Sequence, residues 1–267
     1  MNTHGCILIT ILLMLLCAAM ATAAAPEIIA HRGASYDAPE NTLASVNLAW
    51  KQNADAVEID VYLTADHQIA VMHDATTTRT TGVAMKVSSS DMADLRKLDA
   101  GKSKGRQWAG EKIPTLAEVL KTIPEGKRLF VEIKCNAEIL PYLLKALDAS
   151  GKDPKQIVVV SFQADVVRDL EKMRPQLKTY YLCSPKPSNA DKLVRVARVI
   201  GTDGIDAAAA DGFNAAVIAK FREANMGVYV WTVDDETIAR RYAALGIDGI
   251  TTNKPAYMRT ILAAQQK

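Results

Sequence analysis

The sequence predicts an α/β chain closed into a (β/α)8 TIM barrel with a small insertion after the second strand. Three observations carry this expectation. Eight short apolar runs rich in β-branched residues recur along the chain, eight segments with helical spacing alternate with them, and no Gly-x-Gly-x-x-Gly follows the first run. Continuous apolar runs are what parallel strands covered on both faces require. Eight alternations favour a closed barrel over an open doubly wound sheet, and the missing glycine motif speaks against a dinucleotide-binding sheet. A chain of 267 residues is long enough for one such barrel.

Residues 1–25 read as a secretory signal peptide. The apolar run at 7–20 precedes two small-x-small patterns, Ala21-Thr22-Ala23 and Ala23-Ala24-Ala25, so a mature chain would begin near Ala24 or Pro26. The segment before the run has no Lys or Arg, only His4. The run is short for a span of ~20 residues, and Leu16 is bulky for lipid modification at Cys17. The expectation is an exported protein, periplasmic or secreted, with no stable membrane span after cleavage. Cys6 and Cys17 leave with the signal; Cys135 and Cys183 then permit at most one internal disulfide in an oxidising compartment.

Residues 26–267 form the expected barrel. Its strands read at Glu27–Arg32, Val57–Leu63, Leu129–Lys134, Ile157–Phe162, Thr179–Cys183, Gly204–Ala208, Val228–Val233 and Ile247–Thr252. Helical spacing marks Asn41–Asn53, opening on an Asn-Thr cap, and Thr115–Ile123, where Thr115 and Glu118 spell a capping box. Further helices are expected at Ala137–Ala149, Ala164–Met173, Asn189–Ile200, Asn214–Asn225, Asp235–Leu245 and Ala256–Gln265. Residues 65–112 break the alternation. They hold a return strand, Ile69–His73, a Thr-rich loop at 75–82 and a short helix near Ser90–Leu98. A long interruption in a regular barrel is usually functional, and this one follows the strand that carries Glu58 and Asp60.

Charge excludes one class of partner. The net charge is +2, from 32 basic and 30 acidic residues, with no basic stripe interleaved with aromatics. Nothing calls for nucleic acid. The informative residues are polar ones at strand ends, because barrels of this kind build their sites at the C-terminal face. The first strand ends in His31-Arg32-Gly33, the second carries Glu58 and Asp60, the return strand ends in His73-Asp74, and the next carries Glu132 and Lys134. Residues two apart on a strand share a face. Two carboxylates side by side on an apolar strand repel unless a cation joins them. Glu58, Asp60 and Glu132 can together ligate one hard divalent ion; all-oxygen ligation favours Mg²⁺ or Ca²⁺ over zinc and does not choose between them. Arg32 and Lys134 offer positive charge for a phosphate group, and His31 and His73 can exchange protons near working pH. This inventory suits phosphoryl transfer. Each residue also has a plainer role: a structural histidine, a Glu132–Lys134 ion pair, Trp231 as core, Asn41 as a helix cap.

The ordered motifs His31-Arg32-Gly33-Ala34, Pro39-Glu40-Asn41-Thr42, Glu58-x-Asp60, His73-Asp74 and Glu132-x-Lys134 resemble those of the glycerophosphodiester phosphodiesterases. So do Arg79-Thr80-Thr81-Gly82, Leu98-Asp99-Ala100-Gly101, Ile113-Pro114-Thr115-Leu116, Ser161-Phe162 and Val230-Trp231-Thr232-Val233. One departure stands near the end, where Thr252-Asn253-Lys254-Pro255 replaces the common Thr-Asp-x-Pro; it is expected to affect a peripheral contact. The resemblance implies a small-molecule glycerophosphodiester substrate, such as glycerophosphocholine, cut to glycerol 3-phosphate and an alcohol with Ca²⁺ or Mg²⁺. It implies Glu58, Asp60 and Glu132 on the metal, His31 and His73 as the acid–base pair, and Arg32 and Lys134 on phosphate. Trp231, Phe162, Glu40 and Asn253 would contact substrate. Attack by the glycerol 2-hydroxyl, through a cyclic phosphate, and direct attack by water both fit these residues. Two rivals stay open: a related barrel acting on intact choline lipids or lysophospholipids, and a silent barrel that binds a phosphoester without turnover.

Overall fold

The structure, a computed structural model, describes residues 25–263. The stretch expected to be a signal peptide therefore lies outside the described residues except for its last position. Among the described residues nine strands form: β1 (Glu27–Ala30), β2 (Ala56–Leu63), β3 (Ile69–Val71), β4 (Arg128–Ile133), β5 (Ile157–Ser161), β6 (Lys178–Cys183), β7 (Gly204–Ala208), β8 (Gly227–Trp231) and β9 (Gly249–Thr252). All except β3 are parallel, and β1 pairs with both β2 and β9, which closes an eight-stranded barrel. β3 lies antiparallel on the outer end of β2. A helix follows each barrel strand: Leu43–Lys51, Leu116–Leu120, Leu140–Ser150, Ala164–Met173, Ala190–Ile200, Ala215–Glu223, Glu236–Ala244 and Pro255–Ala263. The expected (β/α)8 barrel is the fold observed.

The differences from expectation sit at element ends. β1 stops at Ala30 because Arg32 turns into the left-handed region at φ 55°, which lifts His31 and Arg32 off the strand. The return strand stops at Val71, leaving His73 on a loop. The short helix near Ser90–Leu98 is a single turn, Met92–Leu95. The first helix is capped by Thr42 and Ser45 rather than by Asn41, whereas the Thr115–Glu118 capping box forms as its spacing predicts. Cys135 and Cys183 are both free thiols.

Burial divides the molecule into shells. Ile29, Ala56, Phe130, Val158, Tyr180 and Tyr229 plug the barrel, and two larger apolar clusters pack the helices against its outside. Each fully buried aliphatic or aromatic side chain contributes ~1.5–3 kcal/mol relative to exposure. The lower plug fits only because Gly249 lacks a side chain; a Cβ there would stand 2.7 Å from the Tyr229 ring. Arg128 braces this end, hydrogen-bonding the Tyr229 hydroxyl at 2.8 Å and pairing with Glu27. Between β2 and the Leu116–Leu120 helix, the chain makes an excursion with its own apolar cluster, which includes Met72, Val87, Leu95 and Ile113. That excursion carries His73 over the C-terminal mouth of the barrel.

Candidate active site

Strand register builds the acidic centre. Asp60 on β2 is the direct lateral partner of Glu132 on β4, and Glu58 lies two residues earlier on the same face of β2. One oxygen from each of the three carboxylates lies within 4.8 Å of the others. All three are buried, and Glu58 Oε1 and Asp60 Oδ1 are sealed from solvent with no hydrogen-bond partner among the described residues. Burial, then repulsion from Asp60 and Glu132, lifts the Glu58 carboxyl well above its ordinary range. Burial and Asp60 push Glu132 up to about 7, against the opposing pull of Lys134. Like charges packed this closely, with orphaned oxygens, fit a hard divalent cation. Glu58, Asp60 and Glu132 are the residues that would hold it.

Two cations border the cluster. Lys134 Nζ lies 2.6 Å from Glu132 Oε1 and 3.5 Å from Asp60 Oδ1. Burial opposes its charge, but the two carboxylates outweigh burial and hold the ammonium above its usual value. Arg32 places Nε 3.3 Å from Asp60 Oδ2 and Nη1 3.1 Å from Glu40 Oε1. Its position depends on Gly33, where φ is +79° and an added Cβ would lie 2.5 Å from Ser45 main chain.

His31 and His73 border the same cavity, of about 260 Å³, together with Arg32, Glu58, Glu132 and Lys134. Its rim is aromatic: Phe162, 46% exposed, stands edge-on to Trp231 at 5.6 Å. His31 Nδ1 lies 2.8 Å from Asn253 Oδ1. The Asn253 amide is itself fixed by Asp234, which accepts from Nδ2 at 2.6 Å and from the Asn253 main-chain N–H at 2.8 Å. Nδ2 therefore faces the acid, Oδ1 faces His31, and the proton belongs on Nδ1, leaving Nε2 as a bare acceptor. Burial and the Arg32 cation push His31 down to about 4, against the pull of Asn253. It is a neutral imidazole at neutral pH. His73 Nδ1 lies 2.7 Å from Asp74 Oδ1, and Arg79 Nε donates to Asp74 Oδ2 at 2.7 Å. Arg79 holds the Asp74 carboxyl down at about 2, so Asp74 is an acceptor only and Nδ1 of His73 donates to it.

The structure thus gathers His31, His73, Glu58, Asp60, Glu132, Arg32, Lys134, Trp231 and Phe162 at one mouth. Glu40 and Asn253, expected against substrate, are not among the residues that line this cavity. Glu40 is clamped by Arg79, at 2.7 and 2.8 Å, and by Arg32, while Asn253 anchors His31 and is not peripheral. Several residues carry the site in roles that the sequence did not assign to them. Asn41 brackets Asp60, donating to Oδ2 at 2.8 Å and accepting from its main-chain N–H at 3.1 Å, a role its left-handed φ of 57° makes possible. Asp234, one residue ahead of the helix that Asp235 caps, is the anchor of Asn253. The Pro-Glu-Asn-Thr and Arg-Thr-Thr-Gly motifs were the available signals for Asn41 and Arg79.

Comparison with known proteins agrees with this architecture. Residues 31–257 match the glycerophosphoryl diester phosphodiesterase family. A glycerophosphodiester phosphodiesterase of Caldanaerobacter subterraneus is 33% identical over 85% of this chain and 94% of its own length. One from Bacillus subtilis is 32% identical over 85% of this chain and 83% of its own. A phosphodiesterase of Oleispira antarctica, solved with the product sn-glycerol-3-phosphate, superposes with a TM-score of 0.83 at 28% identity, covering 90% of this chain and 97% of that one. The chain belongs to the glycerophosphoryl diester phosphodiesterase family, a family of phosphoric diester hydrolases.

Proposed function

We propose that this chain hydrolyses small glycerophosphodiesters, such as glycerophosphocholine, to sn-glycerol 3-phosphate and an alcohol, with one divalent ion, Ca²⁺ or Mg²⁺, held by Glu58, Asp60 and Glu132. The observation that carries the reading is the meeting of three repelling carboxylates with two differently anchored imidazoles in one small cavity. A bound divalent ion supplies charge neutralisation of the phosphodiester and polarises its phosphorus–oxygen bonds. The chain's own residues do the rest. His31 Nε2, neutral and unblocked, takes the proton from the attacking hydroxyl, whether the glycerol 2-hydroxyl or water, as its new bond to phosphorus forms; where the 2-hydroxyl attacks, the product is a cyclic phosphate that a water then opens to sn-glycerol 3-phosphate. His73 Nε2 gives a proton to the leaving alcohol oxygen as its bond to phosphorus breaks, with Asp74 holding the ring in place. Lys134 and Arg32 lie against the phosphate oxygens, and Trp231 and Phe162 line the mouth.

The cavity volume lies below the ~300–1,000 Å³ usual for drug-sized ligands, which favours a small diester over an intact lipid. No helix among the described residues is long and apolar enough to cross a membrane. The test is release of choline from glycerophosphocholine before and after chelation, with lysophosphatidylcholine as the competing substrate. Turnover that vanishes on stripping and returns with Ca²⁺ or Mg²⁺ is expected. Full turnover without metal, binding without turnover, or preference for the lipid contradicts the reading. Export is part of the proposal, and N-terminal sequencing of the mature protein should begin near Ala24 to Pro26; a chain retaining Met1 contradicts it.

A further inference from the structure

Four buried oxygens facing the interior of this barrel lack a hydrogen-bond partner among the described residues: Glu58 Oε1, Asp60 Oδ1, Asp206 Oδ1 and Thr251 Oγ1. The first two belong to the acidic cluster. The other two do not, since the group able to hold a metal comprises only Glu58, Asp60 and Glu132 among the described residues. Asp206 sits on β7, across the barrel from the acids, and Thr251 on β9, beside β1, and both border the cavity. They are 3% and 2% exposed, and the Asp206 carboxyl makes no side-chain hydrogen bond among the described residues. Buried polar groups are nearly always satisfied, so two orphans on one cavity wall call for a ligand.

The surroundings describe that ligand. The Trp231 indole donates from Nε1 to the Asp206 main-chain oxygen at 3.2 Å and so lies over this corner, with Leu182 and Val160 supplying apolar wall. Thr251 is the lateral partner of Ile29, two residues before His31, so its hydroxyl stands one layer beneath the imidazole. A ligand for this corner needs hydroxyls for Asp206 and Thr251 and carbon edges for Leu182 and Trp231. It must also be the invariant half of the substrate, because a closed floor cannot accept variable groups while the open mouth can.

We infer that Asp206 and Thr251 form a polyol subsite that reads the hydroxyls of the glycerol half of the diester, leaving the alcohol half at the Phe162 rim. The inference rests on the proposed phosphodiesterase reading and adds to it the residues that select glycerol. Burial, with Glu132 adding repulsion, lifts the Asp206 carboxyl well above its ordinary range.

The experiment compares kcat/KM for glycerophosphocholine with kcat/KM for bis(p-nitrophenyl) phosphate, which has no glycerol, in the metal-loaded enzyme. For Asp206→Leu and Thr251→Val this ratio should fall by roughly ten- to a hundredfold, the effect of losing a hydrogen bond to a buried polar group. Inhibition by sn-glycerol 3-phosphate should weaken by a similar factor, while inhibition by methyl phosphate changes by less than about twofold. Asp206→Asn, which still donates and accepts, should recover most of the ratio. An unchanged ratio in folded Asp206→Leu and Thr251→Val, or equal losses for both substrates and both inhibitors in them, overturns the subsite. If Asp206→Leu fails to fold by circular dichroism, the shape-conserving Thr251→Val decides by the same ratio. Failure of the underlying reading shows earlier and separately: the wild-type enzyme would then leave glycerophosphocholine intact.

Discussion

His31 and His73 reach the same cavity from two regions built on different physical terms. His31 is sealed at the end of β1 against a neutral amide, and that amide is fixed by Asp234 on the loop after β8. His73 stands on the excursion after β3, with a side chain 30% exposed, against the carboxylate of Asp74, and that carboxylate is fixed by Arg79. An amide beside a ring nitrogen sets the tautomer without balancing charge. A carboxylate also balances the charge of a protonated ring. On the proposed reading, that difference puts the base on the rigid barrel and the acid on the segment laid over it.

The sharpest way to break that division is to remove either ring. His31→Asn and His73→Asn should each lower kcat for glycerophosphocholine by roughly 10²–10⁴-fold, as loss of a general acid or base does. If the division is right, His73→Asn should be far less damaging for a diester whose leaving group needs no proton, such as a p-nitrophenyl ester. His31→Asn should stay damaging for both, and equal losses on both substrates would erase the distinction.

Exchanging the anchors is the next largest effect. Asn253→Asp supplies a carboxylate where His31 now has an amide. It should raise the His31 value from about 4 and move the acid limb of the pH profile of kcat/KM upward. Asp74→Asn should lower kcat by roughly 10–100-fold by loosening His73, without moving that limb. Asn41→Ala removes both bonds that bracket Asp60 and should weaken divalent-ion affinity by roughly 10–100-fold, leaving the histidines in place. Direct metal titration of this variant separates it from the anchor variants.

The smallest effect concerns stability. Glu132 and Glu58 bind protons more tightly folded than unfolded, since burial and mutual repulsion raise both. The metal-free fold should therefore lose stability as pH rises from about 4.5, their unfolded value, through about 7. A divalent ion should restore it by mass action. Thermal melts of stripped protein between these pH values, with and without Ca²⁺ or Mg²⁺, check the sign; a metal-free fold that gains stability over this range contradicts it.

The barrel and the acidic cluster were legible because both follow from periodicity. Apolar runs announce strands, and a two-residue spacing puts Glu58 with Asp60 and Glu132 with Lys134 on shared faces. The anchors were not legible, because they depend on where loops return. Asn253 was expected to touch substrate and Asn41 to cap a helix, yet a turn through positive φ delivers Asn41 to Asp60, and the β8 loop delivers Asp234 to Asn253. Asp206 was hidden for another reason: within the run Gly204–Ala208, one acid in an apolar strand reads as an ordinary interruption until the barrel closes around it.

The account rests on one cation held by three acids between the two imidazoles, and its most direct test is calorimetric titration of Ca²⁺ or Mg²⁺ into chelator-stripped protein near pH 7 in two buffers of different ionisation enthalpy. It predicts one ion per chain and release of protons from the Glu132 carboxyl, with binding abolished in Glu132→Gln and Glu58→Gln. Absence of binding in the wild type, or binding that survives both substitutions without proton release, would contradict it.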